Sequence, residues 1–432
     1  MSKSFEIAIV GGGIAGLTLA IALHRRNIAV QVYEQTAQFK EIGAGVSFSS
    51  NAVAAMETCD GELAGSFGPG VKSAFDKVTT ANGWPSKQTV WFDYYDGMSP
   101  KQRDEILFSI TSGCGQQGVH RARFLDELVK AFPAEKTHLG KRLQNIVERE
   151  DGKIILNFTD GTSAEADAVI GCDGIHSRVR SFIVGENHPS AHPSYSHKYA
   201  YRGIVPMEAA IEAIGEEKAR NSCMFLGKSG HVLTFPMDDG KFLNMVAFYE
   251  DQNEWADDRR LTKMSTREDA LNDFKDFGPD VTKIMSLVQP RLPIWAIFDT
   301  CENPLPIFFK GRIAVIGDAA HATSPHHGNG AGFAIEDSAL IAELLADELV
   351  HTPRDIEAAL ATYDKVRRGR DQWLVQSSRF VGNVDAGLIP EIGTDYKKVH
   401  QEIKERYSKI IGFSPKEEAI HAKKVMHEKL AL

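Results

Sequence analysis

The apolar run Ile7-Ala8-Ile9-Val10 has no polar residue to alternate with, so it predicts a strand buried on both faces, as in a parallel sheet. Gly11, Gly12 and Gly13 follow, and then Ile14-Ala15-Gly16 opens a stretch from 17 to 23 with the apolar spacing of a helix. The polar break Arg25-Arg26-Asn27 leads into a second run, Val30-Gln31-Val32-Tyr33, which ends at Glu34. Strand, glycine turn, helix, strand and acid in that order predict a βαβ unit holding a dinucleotide. Gly11, Gly13, Ala15 and Gly16 keep the turn small enough for backbone amides to meet a pyrophosphate at the helix N-terminus. Glu34 is placed to accept from ribose hydroxyls, which suits FAD or NAD and repels a 2′-phosphate. A second match to the glycine pattern, Gly113-Cys114-Gly115-Gln116-Gln117-Gly118, lacks an acid at a second strand tip and reads as a loop.

Beyond this unit the pattern is broken into pieces. Residues 41–46 read as a flexible loop, Ser49-Ser50-Asn51 caps a helix over 52–56, and 60–104 shows no clear period. A helix is predicted over 123–132, then strands over 143–148, 153–158 and 166–171, with Asp160-Gly161 as a turn. From about 191 to 294 the pattern becomes antiparallel, with strands over 199–206, 223–227, 231–237 and 241–249, the last two joined by Asp238-Asp239-Gly240. A buried strand over 312–316 then ends in Gly317-Asp318, and a long helix follows through 339–345. The charged helical tail, 402–432, carries no repeat and reads as packing or oligomer surface.

These pieces predict an α/β fold: a Rossmann-like FAD-binding domain assembled from 1–75, 105–190 and 295–375, an inserted mixed or antiparallel-sheet substrate domain from 76–104 and 191–294, and a C-terminal helical region from 376 to 432. Composition narrows the partners. The chain has 432 residues, 43% of them hydrophobic, and 58 acidic against 49 basic residues give a formal charge of −9. With no basic stripe, neither nucleic acid nor an anionic membrane is an expected partner, and small-molecule chemistry is the default. Its 5 cysteines are widely spaced, which predicts free thiols in a reducing compartment and no metal cluster. No apolar window is long enough to span a bilayer, so the expectation is a cytoplasmic protein, monomer or homodimer.

Two acid-glycine turns at strand ends, Gly171-Cys172-Asp173-Gly174 running on to Arg180 and Gly317-Asp318-Ala319-Ala320-His321 running on to Pro325, complete a three-part pattern with the amino-terminal fingerprint. With 41–48, Val119-His120-Arg121, Ala200-Tyr201-Arg202-Gly203 and Gly230-His231 through Pro236, they give a chain that resembles the FAD-dependent aromatic hydroxylases (class A flavoprotein monooxygenases), the salicylate hydroxylases above all. The resemblance implies that Asp318 meets the flavin ribityl chain and pyrophosphate region, that Asp173 serves the flavin and a visiting NADH or NADPH unless it merely caps a helix, and that Arg121 extends toward FAD. Gly328-Asn329-Gly330-Ala331-Gly332 would aim helix amides at the flavin N1 and C2 carbonyl, with Gly43 to Gly45, Val46 and Leu143 as further FAD contacts.

For chemistry, the resemblance implies that NAD(P)H reduces FAD, that O₂ adds to give a flavin C4a-hydroperoxide, and that a bound phenolate attacks it. Salicylate would give catechol and CO₂. His231 and His326 match active-site positions, and either is expected to titrate near neutrality and act as base or acceptor for the phenol. Pro325 flanks the same turn, Arg202 is assigned anion recognition, Met224 and Phe235 form apolar walls, and His327 and His321 are weaker candidates. Two alternatives stay open: a hydroxylase that retains the carboxylate of another phenolic or heteroaromatic substrate, and an FAD-binding sensor without turnover.

Overall fold

A computed structural model describes residues 3–39, 45–61, 68–99, 101 and 104–431. Most of the expected flexible loop, including Gly43, lies outside the described residues. Strand β1 (Glu6–Val10) forms where the first apolar run predicts it, and pairs in parallel with β2 (Ala29–Tyr33) and β12 (Ala168–Gly171). With β8 (Thr137–His138), β19 (Phe309–Lys310) and β20 (Ile313–Val315) they make a six-stranded sheet in the order β19-β20-β12-β1-β2-β8, parallel except at β19. The runs lack alternation because both faces are covered, and Ile7, Ile9, Val30, Val32, Val169 and Ile170 are all buried. Over this sheet and its core pack α1 (Ile14–Arg25), α2 (Ser50–Asp60), α3 (Val71–Asp76), α4 (Arg121–Ala131), α5 (Arg178–Val184) and the long α11 (Gly330–Ala346). Two three-stranded sheets flank it: β9 (Leu143–Glu148) with β10 (Ile154–Phe158) and β11 (Ser163–Ala166), and β3 (Gly45–Phe48) with β7 (Gln117–His120) and β4 (Thr80–Ala81). The rejected glycine pattern is the loop between β6 (Phe108–Thr111) and β7, with Gly115 at a φ of +63°.

The second large sheet has eight strands. In order they are β17 (Thr262–Thr266), β18 (Arg291–Asp299), β13 (Ser194–Pro206), β16 (Phe242–Glu250), β15 (Gly230–Met237), β14 (Cys223–Leu226), β5 (Val90–Asp96) and β6, antiparallel throughout except between β14 and β5. The turn at 238–240 takes positive φ at Asp238, Asp239 and Gly240, as a tight hairpin requires. Side-chain alternation sorts this sheet into two faces. One buries Tyr201, Val232, Met245 and Ala247 under α6 (Met207–Ile214), α7 (Glu216–Ala219), α8 (Arg267–Asp273) and α9 (Pro279–Ser286). The other presents Ala200, Met224, Leu233, Phe235, Val246 and Phe248 to α12 (Pro353–Asp385) and α13 (Tyr396–Ile411).

Element boundaries differ from the sequence expectation in instructive places. The aperiodic stretch 60–104 supplies β5, whose first six residues are all buried, so no polar position marks a period. Because β6 pairs with β5, the large sheet continues to Thr111, and β18 carries it to Asp299 at the other end. Helix α12 runs 33 residues without a break across the expected boundary at 376, with Thr352 and Asp355 forming its capping box. The tail folds as α13 and α14 (Pro415–Leu430), and α14 packs on α11 and α12.

Candidate active site

A cavity of about 940 Å³ runs from the glycine turn after β1 to the face of the eight-stranded sheet that α12 and α13 cover. Its first half is made by backbone. Gly11 adopts a φ of +105°, and a Cβ there would stand 2.3 Å from the Cys172 carbonyl oxygen, so the turns after β1 and β12 touch only because the side chain is missing. At Gly16 a Cβ would sit 1.9 Å from the Gly11 oxygen, which lets α1 close on its own turn. Gly16 therefore serves packing and does not line the cavity, whereas Gly11, Gly13 and Ala15 do. Gly13 caps α1 with no side chain, and a Cβ there would meet nothing within 4 Å. Unpaired amides thus face open space at the positive end of a helix. Glu34 accepts from the Gly12 amide at 2.7 Å and the Thr36 amide at 2.8 Å, fixing the turn while it lines the cavity. Leu143, Arg121, Gly45 and Val46 line the same space.

The two acid-glycine turns behave differently. Asp173 Oδ2 accepts from the amides of Arg178 at 2.7 Å and Val179 at 3.2 Å, and its other oxygen from the Ser177 hydroxyl, so this carboxylate caps α5. It borders the cavity, but its oxygens are engaged by α5. Asp318 opens α10 (Asp318–His321) without capping it and stands exposed in the cavity, with Gly317 as the cap residue. The turns are joined by Arg180, fully buried, which donates to the carbonyl of Ile175 beside the first and to that of Ala319 in the second, at 3.1 Å. The spacing of Arg180 in the chain assigns it no role; its signal is an arginine on the apolar side of a helix that follows a capping acid. Beyond Asp318, Pro325 opens a 3₁₀ turn, Gly328 takes a φ of +67°, and Asn329 caps α11 so that Gly330 and Ala331 meet the cavity. Gly332 faces away. A Cβ there would stand 3.0 Å from the Ala52 Cβ, so Gly332 brings α11 against α2 and is corrected from cavity to packing.

The far half is made by side chains on one sheet face. Strand register sets Arg202 against Val246 and Val246 against Leu233, while Phe248 stands between Ala200 and His231. Arg202, Leu233, Phe235, Val246 and Phe248 line the cavity together with Phe92, Pro325 and His326. Met224 pairs with Leu233 but lies one strand further out, buried behind it, and does not reach the cavity. Arg202 stacks its guanidinium over the Trp295 ring at 5.1 Å, and its Nε has no hydrogen-bond partner. Burial, and then the neighbouring Arg121 charge, lower its pKa to about 10, leaving it cationic at neutral pH.

His326 Nδ1 stands 3.3 Å from His231 Nε2, and both rings pack on Phe248 with centroids 4.7 and 4.8 Å away. Only His326 lines the cavity; His231 is behind it, with Nδ1 unpartnered. The expectation that either titrates near neutrality is overturned. Burial, reinforced by the Lys198 charge, pushes His231 down to about 3, and burial with His231, Lys198 and His327 holds His326 well below the usual range. The pair is neutral. His327 points away to Ser377 Oγ at 2.9 Å and is pushed down to about 3 by burial and Arg406.

His321 belongs to another cluster. It lies 2.7 Å from Asp337 Oδ2 and 3.8 Å from Asp371, and although burial opposes its charge the two carboxyls raise it to about 9. His321, Asp337 and Asp371 form a group compact enough for a metal among the described residues, but the buried Arg367 donates to Asp337 at 3.0 Å and to Asp371 at 2.6 Å, so a guanidinium already supplies the positive charge. Arg367 also reaches Glu336 at 2.7 Å and Glu418 of α14 at 3.4 Å, and Glu336 accepts from Asn51 at 2.7 Å.

The glycine turns, the amides at α1 and α11, and the exposed Asp318 carboxylate between them fit FAD. A family model described as FAD binding domain matches residues 4–378. The chain belongs to that family and is an FAD-dependent aromatic-ring monooxygenase of the salicylate hydroxylase group. Similarity extends over nearly the whole chain. It is 46% identical over 407 residues to the FAD-dependent monooxygenase pigN of Monascus ruber, covering 92% of this chain and 91% of that protein. It is 42% identical over 383 residues to the 6-methylsalicylate 1-monooxygenase atA of Aspergillus terreus, covering 88% and 82%. The solved structure of a salicylate hydroxylase substrate complex superposes with a TM-score of 0.84 at 33% identity, covering 97% of this chain and 98% of that one. These relatives displace the non-catalytic sensor reading. No helix among the described residues is long and apolar enough to cross a membrane.

Proposed function

We propose that this monooxygenase hydroxylates a small phenolic acid, salicylate or a ring-substituted salicylate, at the carbon that bears the carboxylate, giving a catechol and CO₂. The observation that carries the reading is the pairing, in one apolar slot, of a cation with an open donor, Arg202, and a neutral imidazole, His326. An arginine meets a carboxylate through charge-assisted hydrogen bonds, and a neutral imidazole can accept a hydrogen bond from a phenol or donate one to its oxygen. The names of two relatives, 6-methylsalicylate 1-monooxygenase and salicylate hydroxylase, support the same substrate class.

FAD would be held by the amides around Gly11, Gly13 and Ala15 at its pyrophosphate, by Glu34 at a ribose, by Asp318 along the ribityl chain, and by Arg121, Gly45, Val46, Leu143, Gly330 and Ala331 around its two ring systems. Once bound, it carries electrons from NADH or NADPH to O₂, the redox work that no side chain in this cavity can do. The chain's own residues do the rest. Leu233, Phe235, Val246 and Phe248 hold the ring and exclude water, Arg202 fixes the carboxylate, and His326 hydrogen-bonds the hydroxyl with His231 setting its orientation.

Purified holoprotein oxidising NADH or NADPH faster with salicylate, with equimolar catechol and CO₂, is the expected result. Release of a hydroxylated acid that keeps its carboxylate would replace this proposal with the non-decarboxylating one.

A further inference from the structure

Helix α12 has a glycine near its C-terminal end, Gly382, that its backbone does not require. The residue is buried, lies within the 33-residue helix, and does not take a positive φ. Glycine inside a helix costs about 1 kcal/mol relative to alanine, so its presence calls for a reason outside the helix. A Cβ built at Gly382 would stand 2.2 Å from Cδ2, 2.4 Å from Nε2 and 2.5 Å from Cγ of His326. These are three atoms of one imidazole, all nearer than any real contact. Retreat is blocked on the sides where Phe248 packs on the ring, with centroids 4.7 Å apart, and His231 stands 3.3 Å from Nδ1. The next residue, Asn383, accepts from Lys198, the cation whose charge bears on both histidines, so a single turn of α12 braces the pair from behind. Gly369 of the same helix offers the contrast: it is exposed, and a Cβ there would touch nothing within 4 Å.

We propose that Gly382 is a positioning residue, whose missing side chain is the seat that holds the His326 imidazole against His231 and at the edge of the substrate cavity. This rests on the reading of His326 as the group that handles the substrate hydroxyl. Any Cβ at this position drives the imidazole off His231 or forward into the slot, and either displacement separates it from the atom it serves. A misplacement of this size is worth on the order of 100-fold in rate.

The test compares Gly382→Ala, Gly369→Ala, His326→Ala and the double variant Gly382→Ala/His326→Ala as holoproteins. Each is assayed with the phenolic acid that gives the wild-type protein its fastest NAD(P)H oxidation. Gly382→Ala should keep its flavin absorbance and lose about 100-fold in kcat, while Gly369→Ala matches wild type. In the His326→Ala background, adding Gly382→Ala should cost nothing further. A crystal structure of Gly382→Ala should show the imidazole moved away from His231. Should Gly382→Ala fail to accumulate, the double variant should still fold, because removing the ring vacates the space. Wild-type turnover by Gly382→Ala, an undiminished loss in the His326→Ala background, or an unmoved histidine pair would overturn the proposal. Full activity in His326→Ala would instead remove the reading of that histidine, and the crystal structure would still decide whether Gly382 seats the ring.

Discussion

His321 and His326 stand on either side of Pro325 and are buried to 1% and 6% exposure, yet one is cationic and the other neutral. His321 faces Asp337 and Asp371 and is raised to about 9; His326 faces another imidazole, an aromatic ring and a lysine, and is held well below the usual range. Burial pushes both toward neutrality, so the neighbours decide the outcome. A carboxylate at hydrogen-bond distance returns the proton that burial removes. The charged histidine thereby becomes a tether, because Asp337 also accepts from the Gly317 amide at 3.0 Å and so anchors the turn that displays Asp318. The neutral one has no carboxylate partner and stands at the cavity edge, where it can exchange a hydrogen bond with a ligand.

The contrast breaks most completely at Asp337. Asp337→Asn takes from the buried Arg367 and His321 the carboxylate that both hydrogen-bond, and a loss of about 3–5 kcal/mol is expected, with flavin released as the Gly317 turn loosens. Urea unfolding and flavin absorbance check it; an unchanged midpoint would show that the cluster is not needed for stability. On the neutral side His326→Ala should keep flavin and stability while substrate-stimulated turnover falls by about 10²–10⁴. Colourless protein from this variant would make the ring a cofactor support instead. Arg202→Met should weaken binding of a phenolic acid by about 1.5–3 kcal/mol, read as a higher KM, and should spare a phenol lacking the carboxylate. Equal losses for both substrates would end the assignment of Arg202 to carboxylate recognition.

The finest probe is pH. Burial raises the Glu418 carboxyl to about 7, above its unfolded value, with Arg367 pulling the other way. The folded state therefore holds an extra proton, and this contribution is complete below about pH 4, then lost as pH rises through 7. Glu418→Gln has no proton to lose, so its melting temperature relative to wild type should climb between pH 5 and 8, by an amount equivalent to at most about 3 kcal/mol. A constant difference would place the Glu418 carboxyl back in the ordinary range.

The same division explains what could be read in advance. The first half of the cavity was legible because its geometry is a backbone property: Gly11, Gly13, Glu34 and Asp318 stand at fixed offsets from strands whose apolar runs are plain in the sequence. The second half depends on register between strands far apart. Leu233, Val246 and Phe248 share a wall only because β15 pairs with β16 in one alignment, and a shift by one residue would turn each to the other face. Phe92 was hidden more deeply, in a strand whose leading residues are all buried, where period carries no information. Arg367 and Gly382 could not be found from spacing, since each acts on a group brought near by tertiary folding. The pKa error at His231 and His326 has the same origin: the sequence names a histidine but not its neighbours.

Arg367 gathers Glu336 and Asp337 of α11 and, from α14, Glu418, while Glu336 reaches Asn51 beneath the start of α11. Two of these carboxylates precede the guanidinium in the chain and one follows it near the end. During synthesis, a ribosome that has just released Arg367 leaves it with the earlier partners but without Glu418, so the ionic knot behind α11 is tied only when α14 emerges.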